Sequence, residues 1–163
     1  MKTLIVYDSV FGNTSKIAHA ILQGFNPYED AHAVFVGDIS IRKLAVPDLL
    51  IVGSPTRGFR PTPAIKEFIK KLPASFLIET YFAAFDTRLS LEHCNSGFIR
   101  FIVRKGGYAA DAIHDQLSRE GLKCALPPQG FLVTGEEGPL LKGEIERAVS
   151  WARSLTTKIM HLA

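Results

Sequence analysis

Two cysteines, Cys94 and Cys124, are all that 163 residues contain, and they fall in different expected elements. That count and placement exclude a disulfide framework and leave no thiolate pair for a metal. His93 stands beside Cys94, but no further ligands follow at metal spacing, so no metal centre is expected. Long apolar runs are also missing. Glu79, Asp86 and Arg100 interrupt the richest stretches well short of the ~18 residues a spanning helix needs. The first apolar run ends at Asp8 after five residues, below the ~7–15 of a signal-peptide core, and a cytoplasmic location is expected. Basic runs interleaved with aromatics are lacking too. Lys and Arg outnumber Asp and Glu by 19 to 16 but are scattered, which argues against a nucleic-acid surface and leaves only a mild preference for anionic ligands.

What is present is a soluble-protein composition, 47% hydrophobic and 21% charged, over a length that one domain accounts for. Short β-branched and aromatic runs alternate with helical patterns along the whole chain, the signature of βαβ units. Strands are expected at residues 3–7, 33–36, 49–52 and 81–85, with a fifth at either 122–126 or 131–133. Helices are expected at residues 14–25, from 62–63 to 72, at 108–119 and at 141–159, each with apolar residues recurring at helical spacing. Pro63 in a first turn and Pro73 after a last one punctuate the second of these. The fold expected is α/β, a three-layer, doubly wound, five-stranded parallel sheet in the order 2-1-3-4-5, spanning residues 1–163. In such a sheet ligands bind beyond the strand ends at the switch point between the first and third strands.

Two loops fall at that point. Ser9, Val10, Phe11, Gly12, Asn13 and Thr14 lie between the first strand and the first helix. Free N–H groups in a first helical turn carry partial positive charge and attract a phosphate, hydroxyls and an amide add donors, and Gly12 permits close approach. The plainer alternative is that Ser9, Asn13 and Thr14 only cap the helix. The second loop, after the third strand, carries Pro55, Thr56, Arg57, Gly58 and Phe59. A third segment, Asp86, Thr87, Arg88 and Leu89, follows Phe85 at the end of the fourth strand. Residues 98–103 are unusually apolar for a connection; core packing is the expected reason, with a substrate or partner surface as the alternative.

With S-x-x-G-N-T at Ser9, G-S-P-T-x-G-F at Gly53 and F-D-T-R at Phe85, the chain resembles the flavodoxin family at three flavin-contacting places, in order, over nearly its whole length. The resemblance implies non-covalent flavin mononucleotide (FMN) as cofactor. Ser9, Val10, Phe11, Gly12, Asn13 and Thr14 would hold its phosphate. Pro55, Thr56, Arg57, Gly58 and Phe59 would line one flank of the ring, and Asp86, Thr87, Arg88 and Leu89 the other. Gly58 matches the glycine whose peptide responds to the flavin redox state in that family.

Arg57 and Leu89 stand where electron-transfer members often place aromatics, and the charge is basic where theirs is acidic. An arginine about 6 Å from a reduced, anionic flavin at an effective dielectric near 20 favours that form by roughly 2–3 kcal/mol, about 100 mV for one electron. Arg57 and Arg88 are therefore expected to make a mild reductant. Three functions stay open: an electron carrier that meets a redox partner protein, an FMN-dependent NAD(P)H oxidoreductase acting on a quinone or another small acceptor, and a flavin-free scaffold.

Overall fold

A computed structural model describes residues 1–93 and 96–162, so Cys94 lies outside the described residues. The β-branched run of β1 (Lys2–Tyr7) pairs in parallel with β2 (Asp30–Phe35) on one side and β3 (Leu49–Pro55) on the other. β3 pairs in parallel with β4 (Tyr81–Leu89), giving the expected order 2-1-3-4-5. Successive side chains in a strand point to opposite faces, and the core divides accordingly. Ile5, Tyr7, Leu49, Ile51, Ala83 and Phe85 pack on the side of α1 (Asn13–Gly24) and α6 (Glu144–Leu162). Leu4, Val6, Leu50, Val52, Phe82 and Ala84 pack on the side of α2 (Pro63–Lys70) and α5 (Ala109–Arg119). Both faces are covered, which is why the central strands read as unbroken apolar runs.

The edge beyond β4 contains both alternatives for the fifth strand. β5 (Lys123–Cys124) pairs with Tyr81 and Phe82, and β6 (Gln129–Val133) pairs with the stretch from Phe85 to Leu89. Pro127 and Pro128 lie between them. Proline has no N–H to give the ladder and is tolerated at an edge, so the edge strand is interrupted there and resumes. β4 in turn runs past Phe85 through Asp86, Thr87 and Arg88 to Leu89, because β6 offers those residues a partner.

A short helix, α3 (Phe76–Glu79), precedes β4, and a ten-residue helix, α4 (Gly97–Gly106), precedes α5. The second occupies the apolar stretch expected to pack in the core. Instead Phe98 is 71% and Phe101 56% exposed, while Ile102 and Val103 are half-buried.

α1 and α6 lie side by side, and Gly24, read from sequence as a helix end, is also where they come closest. A Cβ added there would fall 2.5 Å from Ala152 Cβ and 2.6 Å from the Val149 carbonyl oxygen. Gly24→Ala should therefore destabilise the fold by about 1–3 kcal/mol, the usual cost of overpacking, read as a lower midpoint in urea at unchanged slope. A midpoint equal to the parent's would show that the two helices separate freely.

Candidate functional site

The carboxyl ends of β1, β3, β4 and β6 open into one cavity of about 330 Å³. On its first side stand Val10, Phe11, Asn13 and Thr14, from the loop that leads β1 into α1. Gly12 is the residue before the helix, with φ 87°, a left-handed conformation that glycine adopts at little cost. That turn swings the following N–H groups toward open space. Among the described residues, the Lys16 N–H reaches the Gly12 carbonyl and the Ser15 N–H reaches Ser9 Oγ, at 3.0 and 3.2 Å. The N–H groups of residues 10–14 meet no acceptor in the described structure. Five consecutive free donors at a helix start form a cradle for an anion.

The hydroxyls and amide of this loop do other work. Ser9 Oγ caps the Ser15 N–H. Thr14 Oγ1 lies 2.8 Å from Thr87 Oγ1, which ties the loop to β4, and Asn13 Nδ2 donates to the Glu137 carbonyl at 3.0 Å. The sequence reading gave these three side chains to a ligand. In the structure each already has a protein partner, and the backbone supplies the free donors.

On the second side stand Pro55, Thr56, Arg57 and Gly58. Arg57 and Arg60 exchange backbone hydrogen bonds of 3.0 and 3.1 Å, closing a tight turn over Gly58 and Phe59, at φ 52° and 66°. Positive φ at a phenylalanine is uncommon and strained, so something must hold it. Phe59 packs flat against Gly106 at the end of α4, where a Cβ would fall 2.3 Å from its ring. Phe59 faces away from the main cavity into a smaller one of about 140 Å³, shared with Arg88, Val103 and Tyr108. At the loop's far end Ser54 Oγ accepts the Thr62 N–H at 3.0 Å.

From β4, Thr87 and Leu89 line the main cavity, whereas Asp86 and Arg88 do not. Asp86 is fully buried. Its carboxylate accepts from Arg88 Nε at 2.6 Å and Nη2 at 2.8 Å, from the Ala110 N–H at 2.9 Å and from Thr56 Oγ1 at 3.1 Å. Burial pushes its carboxyl above the ordinary 3.8, against the downward pull of Arg88, Ala110 and Thr56. Thr56 Oγ1 also accepts the Ala109 N–H, and the Arg88 guanidinium lies 3.6 Å from the centre of the Tyr108 ring. One carboxylate thus joins β4, the loop after β3 and the start of α5. Asp86 and Arg88, expected from sequence to flank a ligand, stand behind the loop that lines the main cavity, and Arg88 borders the smaller one.

The third wall was not anticipated. Val133, Gly135 and Glu136, from the segment after β6, complete the cavity. Glu136 Oε1 lies 3.8 Å from Arg57 Nη2, both side chains being well exposed, and Arg57 sits 5.6 Å from the Phe11 ring centre. The signal for this wall was present in the choice between two fifth strands, since selecting residues 131–133 puts the next loop beside the ligand by the same rule that found the others. Among the described residues no group of three or more His, Cys, Asp or Glu is placed to hold a metal, and no helix is long and apolar enough to cross a membrane.

Replacing Asp86 with Ala should cost about 3–5 kcal/mol of stability, because it strands the Arg88 guanidinium and two buried donors. Adding Arg88→Met should restore part of that loss. Chemical denaturation of the two variants decides it, and an equal or larger loss in the double variant would mean that the pair does not act as a unit.

No family model matches the chain, and no curated protein does. Solved structures do. A flavodoxin from the domain Archaea is 19% identical, with a TM-score of 0.74 over 99% of this chain and 100% of that one. Flavodoxin 1 from Bacillus cereus is 16% identical, with a TM-score of 0.71 over 96% of this chain and 98% of that one. A flavodoxin, WrbA-like protein from Agrobacterium tumefaciens is 18% identical, with a TM-score of 0.68 over 98% of each. Sheet order, layer arrangement and these likenesses agree that the chain has the flavodoxin-like fold.

Proposed function

We propose that this chain binds FMN non-covalently in the cavity at the strand ends and uses it in electron transfer. The observation that carries the reading is the run of five free N–H groups at residues 10–14, opening beside a cavity large enough for a flat heteroaromatic ring. A phosphate needs such donors, and a neutral ligand does not. The FMN phosphate would lie on those N–H groups, with Gly12 shaping the approach. Thr56, Arg57 and Gly58 would border one flank of the ring, and Thr87 and Leu89 the other. When bound, FMN supplies one- and two-electron chemistry, while the protein's part is position, exclusion of water and electrostatics.

The electrostatic part differs from what the arginines suggested. The Asp86 carboxylate balances the Arg88 charge and turns it toward Tyr108. Arg57 faces Glu136 across the cavity mouth and is screened by water as well. The rise of about 100 mV reckoned for a free arginine therefore has no basis at Arg88 and a reduced one at Arg57.

A second reading, an FMN-dependent NAD(P)H oxidoreductase acting on a quinone or similar acceptor, is favoured by one observation. Leu89 rather than an aromatic lines the main cavity from the end of β4, and Val10 and Phe11 stand 50% and 44% exposed at the rim, which leaves room for a second planar molecule.

Titration of the purified chain with FMN, followed by quenching of flavin fluorescence, should show one-to-one binding at least tenfold tighter than that of riboflavin. Gly12→Val should weaken FMN by at least tenfold and riboflavin much less, because a β-branched residue resists the left-handed turn that aims the donors. Equal affinity for FMN and riboflavin would overturn the phosphate cradle. Oxidation of NADPH by the loaded protein with a small quinone would favour the second reading, and its absence the carrier.

A further inference from the structure

α4 presents an apolar and basic face that the site does not use. Phe98 and Phe101, one helical turn apart, are exposed, and Arg104 and Lys105 are exposed one turn further on. Lys105 Nζ lies 5.0 Å from the centre of the Phe101 ring. The C-terminal end of the helix reaches the cavity's border. Gly106 touches Phe59, and Val103 shares the smaller cavity with Thr56 and Gly58. The exposed Arg57 and Arg60 flank Phe59 in that same turn. The two aromatic rings and four cations therefore belong to one region that runs from α4 to the mouth of the cavity.

We infer that this face docks an acidic electron-transfer protein, a role that rests on the FMN reading for its purpose. The charge complement identifies the partner class. Arg60, Arg104 and Lys105 are cationic, with Arg57 beside them partly offset by Glu136 at 3.8 Å, and the remaining positive field would attract a carboxylate-rich surface and speed its encounter. The two phenylalanines supply the aromatic anchors that charged rims surround in protein interfaces. A lipid surface fits less well. Half of the cations sit on the turn beside the cavity rather than on the helix, and two rings bury little apolar area for membrane attachment, whose strength scales with that area. Only a protein carrying its own redox centre would gain from contact at the cavity mouth.

The test uses the full-length chain loaded with FMN and an acidic [2Fe–2S] ferredoxin as the probe, with basic cytochrome c as the opposite-charge control. Calorimetry at low salt should show ferredoxin binding that weakens as salt rises, with at least tenfold preference over cytochrome c. Phe98→Ser with Phe101→Ser, and separately Arg104→Glu with Lys105→Glu, should each weaken ferredoxin binding at least tenfold while FMN affinity stays within twofold. All four side chains are exposed, so the fold should tolerate these changes. Absent ferredoxin binding, a preference for cytochrome c, or binding that neither double variant alters would overturn the inference. So would attachment to phosphatidylserine vesicles without ferredoxin binding. The same samples separate the two readings: a chain that docks ferredoxin through α4 but takes up no FMN would keep the surface and sink the cofactor proposal.

Discussion

A buried carboxylate must be satisfied on both oxygens, and the way Asp86 meets that requirement organises the functional end of the molecule. Its four donors come from β4 itself, from the loop after β3 and from the start of α5. Thr56 passes the connection on, donating a hydrogen bond to Asp86 and accepting one from the Ala109 N–H. The loop that borders the cavity is therefore held from behind by polar bonds in a water-poor environment, where each is stronger than it would be at the surface. Ser54 fixes its other end by accepting the Thr62 N–H, and the loop closes in the turn at Gly58 and Phe59.

That turn links the site to the rest of the surface. Phe59 keeps a strained backbone because its ring is seated on Gly106, so the end of α4 and the edge of the cavity form one packed unit. On the opposite wall, Asn13 binds the Glu137 carbonyl and Thr14 meets Thr87, joining the first loop to the segment after β6 and to β4. The polar side chains of the site thus hold the loops together, and among the described residues the backbone donors at residues 10–14 are left without a protein acceptor.

Most of the architecture was legible in the sequence, since the runs at residues 3–7, 49–52 and 81–85 are almost wholly buried on both faces. The end of β4 was not. Aspartate is disfavoured in strands, and Arg88, two residues on and on the same face, together with Thr56 and the Ala110 N–H makes Asp86 tolerable there. The same ion pair holds Asp86 and Arg88 off the lining of the main cavity. The edge strand read as two alternatives because its interruption at Pro127 and Pro128 cannot be told from a loop by composition, and the wall after β6 was lost with it. The apolar stretch at Phe98 looked like core because apolarity carries no sign of which side of a helix meets the protein, and α4 shows two of those rings to solvent.

The central claim is that backbone N–H groups, rather than side chains, receive the phosphate of FMN, and amide chemical shifts report it directly. In a ¹H–¹⁵N spectrum of the labelled protein, FMN should move the amide protons of residues 10–14 strongly downfield. Riboflavin, lacking the phosphate, should leave those five near their free positions while still shifting the amides of Thr56 and Gly58. Shifts confined to other parts of the chain, or the same pattern for both ligands, would contradict the account.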